Sequence, residues 1–192
     1  HEAWQENQAP GVVGTTGFGT NISGPSGSGL DFISPQYSLK YYDYTINDFK
    51  TINNTLQAFP NKDNGYFLFI RGDRQALGSG GAQVPTVMRS KGALNTGNYL
   101  VPVPANTFYS IGNPYASRIE FDKVTGAAAF GNTFYVWDPL LSGSYGVGGY
   151  QTISAANAYK PTAPGTGYYQ DGIAYPNIES GQAVYVNNST AA

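Results

Sequence analysis

The sequence predicts an all-β protein: an antiparallel β-sandwich or jelly roll. Three observations point there. The 192-residue chain holds 16 Tyr and 25 Gly, but only 11% of its residues are charged. Tyr, Thr, Val and Phe favour strands, while Gly, Pro and Asn favour the turns between them. Helix formers never cluster, and short apolar runs recur between turn residues, the pattern of sandwiches.

The strands are expected in order along the chain. Tyr37, Leu39 and Tyr41 alternate with Ser38, Lys40 and Tyr42, the period of a half-buried strand. Residues 46–59 are mixed and read as an irregular connection. Asn61, Lys62, Asp63, Asn64 and Gly65 form a turn leading to Tyr66, Phe67, Leu68, Phe69 and Ile70. That continuous apolar run fits a central strand. Further strands are expected over 85–89, 99–103, 107–111, 133–137, 149–153 and 182–186. Only 116–124 has a helical look, of about two turns. Residues 1–35 are poor in regular signal. Their Gly/Ser/Thr-rich stretch, with Pro10 and Pro25, reads as an extended arm or an irregular crossing. The expected organisation is therefore an extended arm or irregular segment over 1–35 and a single β-sandwich domain over 36–192.

Composition narrows the function classes. The formal net charge is −2 with no basic tract, which argues against a nucleic-acid partner. No apolar run is long enough for a membrane-spanning helix, so no membrane insertion is expected. With no cysteine, thiolate metal sites and cysteine nucleophiles are excluded. The first residue is His1 rather than Met, which we read as a processed or internal start. Together with the scarcity of Lys and Glu, this leads us to expect an extracellular chain.

No set of residues spells a catalytic or metal site. His1 is the only histidine, so a copper brace lacks its second imidazole. Ser-His-Asp and Cys-His catalysis have no pattern here either. Glycoside hydrolysis needs two flanking carboxylates. Glu2, Glu6, Glu120, Glu179 and the aspartates show no pairing signal. Asn61, Asp63 and Gly65 lack the carboxylates that complete a calcium loop. A structural calcium on Asp43, Asp48 or Asp138 has no support. Arg71-Gly72-Asp73 reads as a turn after a strand, not an adhesive tripeptide. Asn21, Asn53, Asn187 and Asn188 match the glycosylation acceptor pattern, common in so Asn-rich a chain. No catalytic residue, metal or cofactor is expected, and the chain is not expected to be an enzyme. Two aromatic clusters remain: Tyr41, Tyr42, Tyr44, and Tyr168, Tyr169, Tyr175. Such rings stack on sugars, anchor protein interfaces or ladder across strands.

Several segments resemble a family of secreted Bacteroidetes surface proteins, adhesin-like or gliding-associated and exported by the type IX system. Ile111-Gly112-Asn113-Pro114-Tyr115-Ala116-Ser117 with Ile119-Glu120-Phe121-Asp122 is similar to its GNPYPS-x-IDW signature. Phe134-Tyr135-Val136-Trp137-Asp138-Pro139 is similar to its YVWDP strand. Gly149-Tyr150 and the segment from Ile178 through Gly181-Gln182 to Val186 resemble its GGY and GQ-x-FFV segments. Glu2-Ala3-Trp4-Gln5-Glu6, Gly17-Phe18-Gly19-Thr20 and Phe69-Ile70-Arg71-Gly72-Asp73-Arg74 also look familial. The resemblance implies an extracellular β-sandwich and carries no catalytic residue over. In physical terms Asn113-Pro114 forces a turn, Trp137 supplies a large buried ring, and Pro139 ends its strand.

In that family further strands follow the last motif, whereas here the chain stops soon after it. We therefore expect an incomplete sandwich, completed by a strand from a neighbouring subunit. The expected function is a structural subunit of an extracellular, pilus-like surface filament, with itself as partner, by strand exchange or edge pairing. Trp4, Val12, Val13 and Phe18 are the expected subunit-contacting residues, with Trp4 the apolar anchor. The alternative is an adhesin or carbohydrate-binding module of a larger surface protein, with surface glycans as partners.

Overall fold

The computed structural model describes residues 2–5, 17–59, 64–70, 72, 86–143, 146–162 and 167–189. Among them the regular structure is β, and no helix exceeds a four-residue 3-10 turn. The all-β expectation holds. The strands, in chain order, are β1 (Gly17–Phe18), β2 (Ser23–Gly24), β3 (Phe32–Ile33), β4 (Leu39–Asp43), β5 (Asp48–Thr51), β6 (Tyr66–Leu68) and β7 (Thr86–Val87). They continue as β8 (Thr107–Gly112), β9 (Ile119–Glu120), β10 (Thr133–Gly143), β11 (Gly146–Ser154), β12 (Asn177–Ile178) and β13 (Ala183–Asn188).

The chain divides into two compact units. One comprises His1–Asp43, Asp48–Lys62 and Tyr66–Ala93, the other Tyr44–Asn47, Asp63–Gly65 and Leu94–Ala192. This division falls elsewhere than the expected boundary at residue 35.

In the first unit, β4 lies between β5 and β6 in an antiparallel sheet. The run at 66–70 is therefore an edge strand rather than the expected central one. It stops at Leu68, leaving Phe69 and Ile70 exposed. Ile22, Leu39 and Ile52 form the core, with Trp4, Leu30, Tyr41, Phe59, Tyr66 and Leu68 packed around it. Burying each aliphatic side chain contributes roughly 1.5–3 kcal/mol. The segment expected to be an extended arm or an irregular crossing takes part in this unit. Thr20 N donates to the Trp4 carbonyl at 2.6 Å. The Asp31 carboxylate accepts from Ile22 N and from the Gln5 side chain. The pairs β1–β7 and β2–β3 are parallel, a departure from the antiparallel expectation. These are two-residue contacts, β1–β7 between distant segments and β2–β3 across residues 25–31.

The second unit is built on an antiparallel four-stranded sheet in the order β11-β10-β13-β8. Its inner face follows the period of two. Phe134, Val136 and Asp138 of β10, Ile153 of β11, and Val184 and Val186 of β13 are buried, while Tyr135, Trp137 and Tyr185 are only half-buried. Phe121 packs on Phe134 with ring centroids 4.8 Å apart. The helical look of 116–124 reduces to strand β9, paired with β12, and one 3-10 turn at Phe121–Lys123. β-branched Ile119 lies opposite Ile178 and favours that strand. The strand expected over 99–103 is absent. Pro102 and Pro104 remove the ladder donors there, and Val101 and Val103 pack on the core as irregular chain. Pro139 does not end its strand. β10 runs to Gly143, and the register with β11 shifts between Asp138 and Ser142. A proline without a donor sits at that irregularity.

Candidate functional site

At one end of this sheet lies a cleft of about 490 Å³. Trp137, Tyr168, Tyr169 and Tyr175 supply its aromatic lining, and Asn177, Glu179 and Gln182 its polar groups. Each wall is held by an identifiable local device.

Trp137 alternates with Asp138 across the sheet, so its ring stands on the opposite face from the Asp138 carboxylate. Tyr150, its partner on β11, meets it edge-on at 5.1 Å. At Gly148 a Cβ would lie 2.2 Å from the indole, so only glycine lets β11 pass so close. Trp137 is half-buried rather than the fully buried ring expected, because it faces the cleft.

Asp138 is completely buried. One carboxylate oxygen accepts from Leu140 N at 3.0 Å and Tyr168 N at 2.9 Å, and the other from Tyr169 N at 3.2 Å. Burial works to raise its pKa. The backbone donors of Tyr168, Tyr169 and Leu140, with the Gln151 side chain, outweigh that and hold it below the ordinary carboxylate value. Asp138 thus clamps the double-tyrosine segment onto β10. A Cβ at Gly167 would sit 1.9 Å from its Oδ2, so the approach requires glycine.

Tyr169 lies between Tyr168 at 5.2 Å and Tyr175 at 4.9 Å, both edge-on. Gln182 Nε2 donates to the Tyr169 hydroxyl at 2.8 Å, and its Oε1 accepts from Glu179 N. Burial is the main cause that pushes the Tyr169 phenol up to about 12. Tyr168 is 64% exposed and free to meet a ligand.

The Gly-Asn-Pro-Tyr segment serves the same region as architecture. The buried Asn113 donates to the carbonyls of Ser117, Ile178 and Glu179 at 2.8, 3.0 and 3.1 Å. Its own Oδ1 accepts from Tyr115 N at 2.9 Å, an Asx-type turn. The motif therefore fixes the backbone that carries Glu179.

The cluster Tyr168, Tyr169, Tyr175 comes together as a site, joined by residues that the sequence pattern did not single out for it: Trp137, Asn177 and Gln182. The alternation of Phe134, Val136 and Asp138 against Tyr135 and Trp137 is the signal that marks Trp137 as outward-facing. Tyr41 and Tyr42 lie in the first unit, where Tyr41 packs toward Tyr66 and Tyr42 meets Phe49. Trp4 packs on Phe59 at 5.7 Å and Tyr66 at 6.5 Å, within its own chain. Phe18 contributes its backbone to β1, beside Val87. Val12 and Val13 lie outside the described residues, as do His1, Glu6, Asn61, Asp63, Arg71 and Asp73. Gly72 accepts a hydrogen bond from the Thr20 hydroxyl.

Among the described residues no group of three or more His, Cys, Asp or Glu is placed to hold a metal ion. Asp43 pairs with Lys50, and Asp48 accepts from its neighbour Phe49 N. In comparisons with known proteins, no family model, no curated protein and no solved structure matches the chain.

Proposed function

We propose that the chain is a carbohydrate-binding module of an extracellular bacterial surface protein, and that the cleft beside Trp137 takes the sugar. The observation that carries this reading is the lining itself: four aromatic rings around a few polar groups. Ring faces cover the apolar faces of pyranoses, while tyrosine hydroxyls, amides and a carboxylate pair with sugar hydroxyls. The rings are pre-set by the Asp138 clamp and the Gln182–Tyr169 hydrogen bond, which lowers the ordering cost of binding. Glu179 lines the cleft, whereas the Asp138 carboxylate is occupied by backbone donors, an arrangement suited to holding a glycan. The low charge content and the resemblance of its motifs to secreted surface proteins support the extracellular setting.

A glycan array probed with the intact chain and with Tyr168→Ala tests this. Tyr168 is exposed, so its truncation spares the fold. The expected result is binding to a defined set of glycans that falls about tenfold in the variant, equivalent to ~1.4 kcal/mol. Identical array profiles for the two proteins overturn the assignment of the cleft.

One observation favours a second reading, a subunit of a surface filament. Strand β8 is the outer strand of the four-stranded sheet and pairs, among the described residues, only with β13. An open edge is a template for another chain. The other outer strand, β11, is partly covered by a bridge from Ile153 to Pro161. Filament formation through β8 predicts a sedimentation profile that grows with concentration and reverts when Phe108→Lys blocks the edge.

A further inference from the structure

The cleft opens at Trp137 onto the outer face of the four-stranded sheet, and that face is aromatic from one side to the other. Alternation places Tyr150 of β11, Trp137 and Tyr135 of β10, Tyr185 of β13 and Phe108 of β8 on it. The rings touch in sequence. Trp137 meets Tyr150 at 5.1 Å, Tyr150 meets Tyr185 at 5.4 Å, and Tyr135 meets Phe108 at 5.5 Å. Tyr135 and Tyr185 are direct cross-strand partners and join the two sets. Phe108 is 41% and Tyr150 40% exposed, so solvent reaches both ends of the row. With strands ~4.8 Å apart, a row across four strands spans about 14 Å, the length of a few linked pyranose rings.

We infer that this five-ring face is a binding platform continuous with the cleft, and that its occupant is an extended, uncharged polysaccharide chain rather than a single sugar or a glycan end. The inference rests on the carbohydrate reading of the cleft. Trp137 belongs to both surfaces, so a chain anchored in the cleft is led onto the row. The charge pattern selects the class. A single-stranded nucleic acid would also stack on such rings, but it needs Lys and Arg to hold its phosphates. On this face the rings are accompanied by Thr152, Asn187, Ser110 and Ala183, the last two packed against Gly65. None of these carries a charge, the chain carries a net −2, and a carboxylate, Glu179, lines the cleft. That combination fits neutral sugar units and repels polyanions, sulfated glycans included.

The test is calorimetry of the full chain against cello-, xylo- and chito-oligosaccharides from disaccharide to hexasaccharide, with sizing of the same samples. The expected result, in at least one series, is a hexasaccharide affinity at least tenfold above that of the disaccharide. Phe108→Ser should remove most of this gain and leave the disaccharide affinity unchanged, while Tyr150→Ala, which also removes the ring that backs Trp137, and Tyr168→Ala weaken both. Tyr150→Phe keeps the ring and should bind as the parent does, which separates lost stacking from lost fold. Equal affinity at every length, with Tyr168→Ala still weakening it, overturns the platform and leaves the cleft reading standing. No binding in any series overturns both. Self-association that disappears in Tyr150→Ala assigns the face to a second copy of this chain and also overturns the platform.

Discussion

Asp138 is the residue on which the site turns. It is a fully buried acid satisfied by three backbone amides, so its ionised form is favoured in the folded state. The sign of its pH effect follows. Its folded pKa is depressed, so its contribution is fully present above the unfolded value of ~3.9 and is lost as pH falls through the folded value. Asp138→Asn should therefore cost ~1.5–3 kcal/mol at neutral pH, the value of hydrogen bonds to a charged group. Urea unfolding of the two proteins should converge as the pH is lowered below 4, and a gap that stays constant with pH would contradict the assignment. Gly167→Ala attacks the same contact sterically, because its Cβ would overlap Asp138 Oδ2. A thermal melt should show a loss of ~1–3 kcal/mol, the typical range for overpacking. Tyr169 gives the opposite limb. Its raised folded value of about 12 favours the neutral phenol. The stability it confers is complete below the unfolded value of ~10 and is lost as pH rises toward 12. Tyr169→Phe should flatten the alkaline loss of stability in that window, followed by circular dichroism.

Elements show where sequence patterns carried the fold and where they did not. Strands β10, β11 and β13 were legible in part, over 133–137, 149–153 and 182–186, because short runs of strand-favouring residues between turn residues mark them. The strand expected at 99–103 was not, because Val101 and Val103 alternate as strand residues do, while Pro102 and Pro104 deny the ladder its donors. Residues 66–70 looked central because apolar continuity does not distinguish a central strand from an edge whose rings pack sideways. Phe49 and Phe67 are an example, with ring centroids 6.0 Å apart. Residues 1–35 read as an extended arm or an irregular crossing because their pairs are only two residues long, too short for a local period to record them. Trp4 carries the consequence. Its ring packs on Phe59 and Tyr66 in its own unit, so Trp4→Ala should destabilise the folded monomer by ~2–3 kcal/mol, as large-to-small changes in packed sites do. Urea denaturation at a concentration where the chain is monomeric checks this. If the segment is instead exchanged between subunits, the loss should appear in assembly and not in monomer stability.

At the scale of the whole molecule, the composition of the chain and the chemistry of its second unit point the same way. Aromatic and amide side chains take the place that charges hold in most soluble domains. Half of the site was legible from sequence: the tyrosines at 168, 169 and 175 stood out as a cluster. The other half was not, because Trp137 and Gln182 reach the cleft only through the order β10-β13 in the sheet, which pairs segments far apart in the chain. Asp138 gave no signal because its partners are backbone amides, which any residue supplies. If the cleft binds sugar, Trp137 is its natural reporter because it lines the cleft. The most direct measurement is a fluorescence titration of the Trp4→Phe chain, in which Trp137 is the sole remaining tryptophan, with cellohexaose, xylohexaose and chitohexaose in turn. A sugar-binding cleft predicts a saturable change in Trp137 emission with at least one of them, weakened by Tyr168→Ala. Emission that stays unchanged to millimolar concentrations of all three would contradict it.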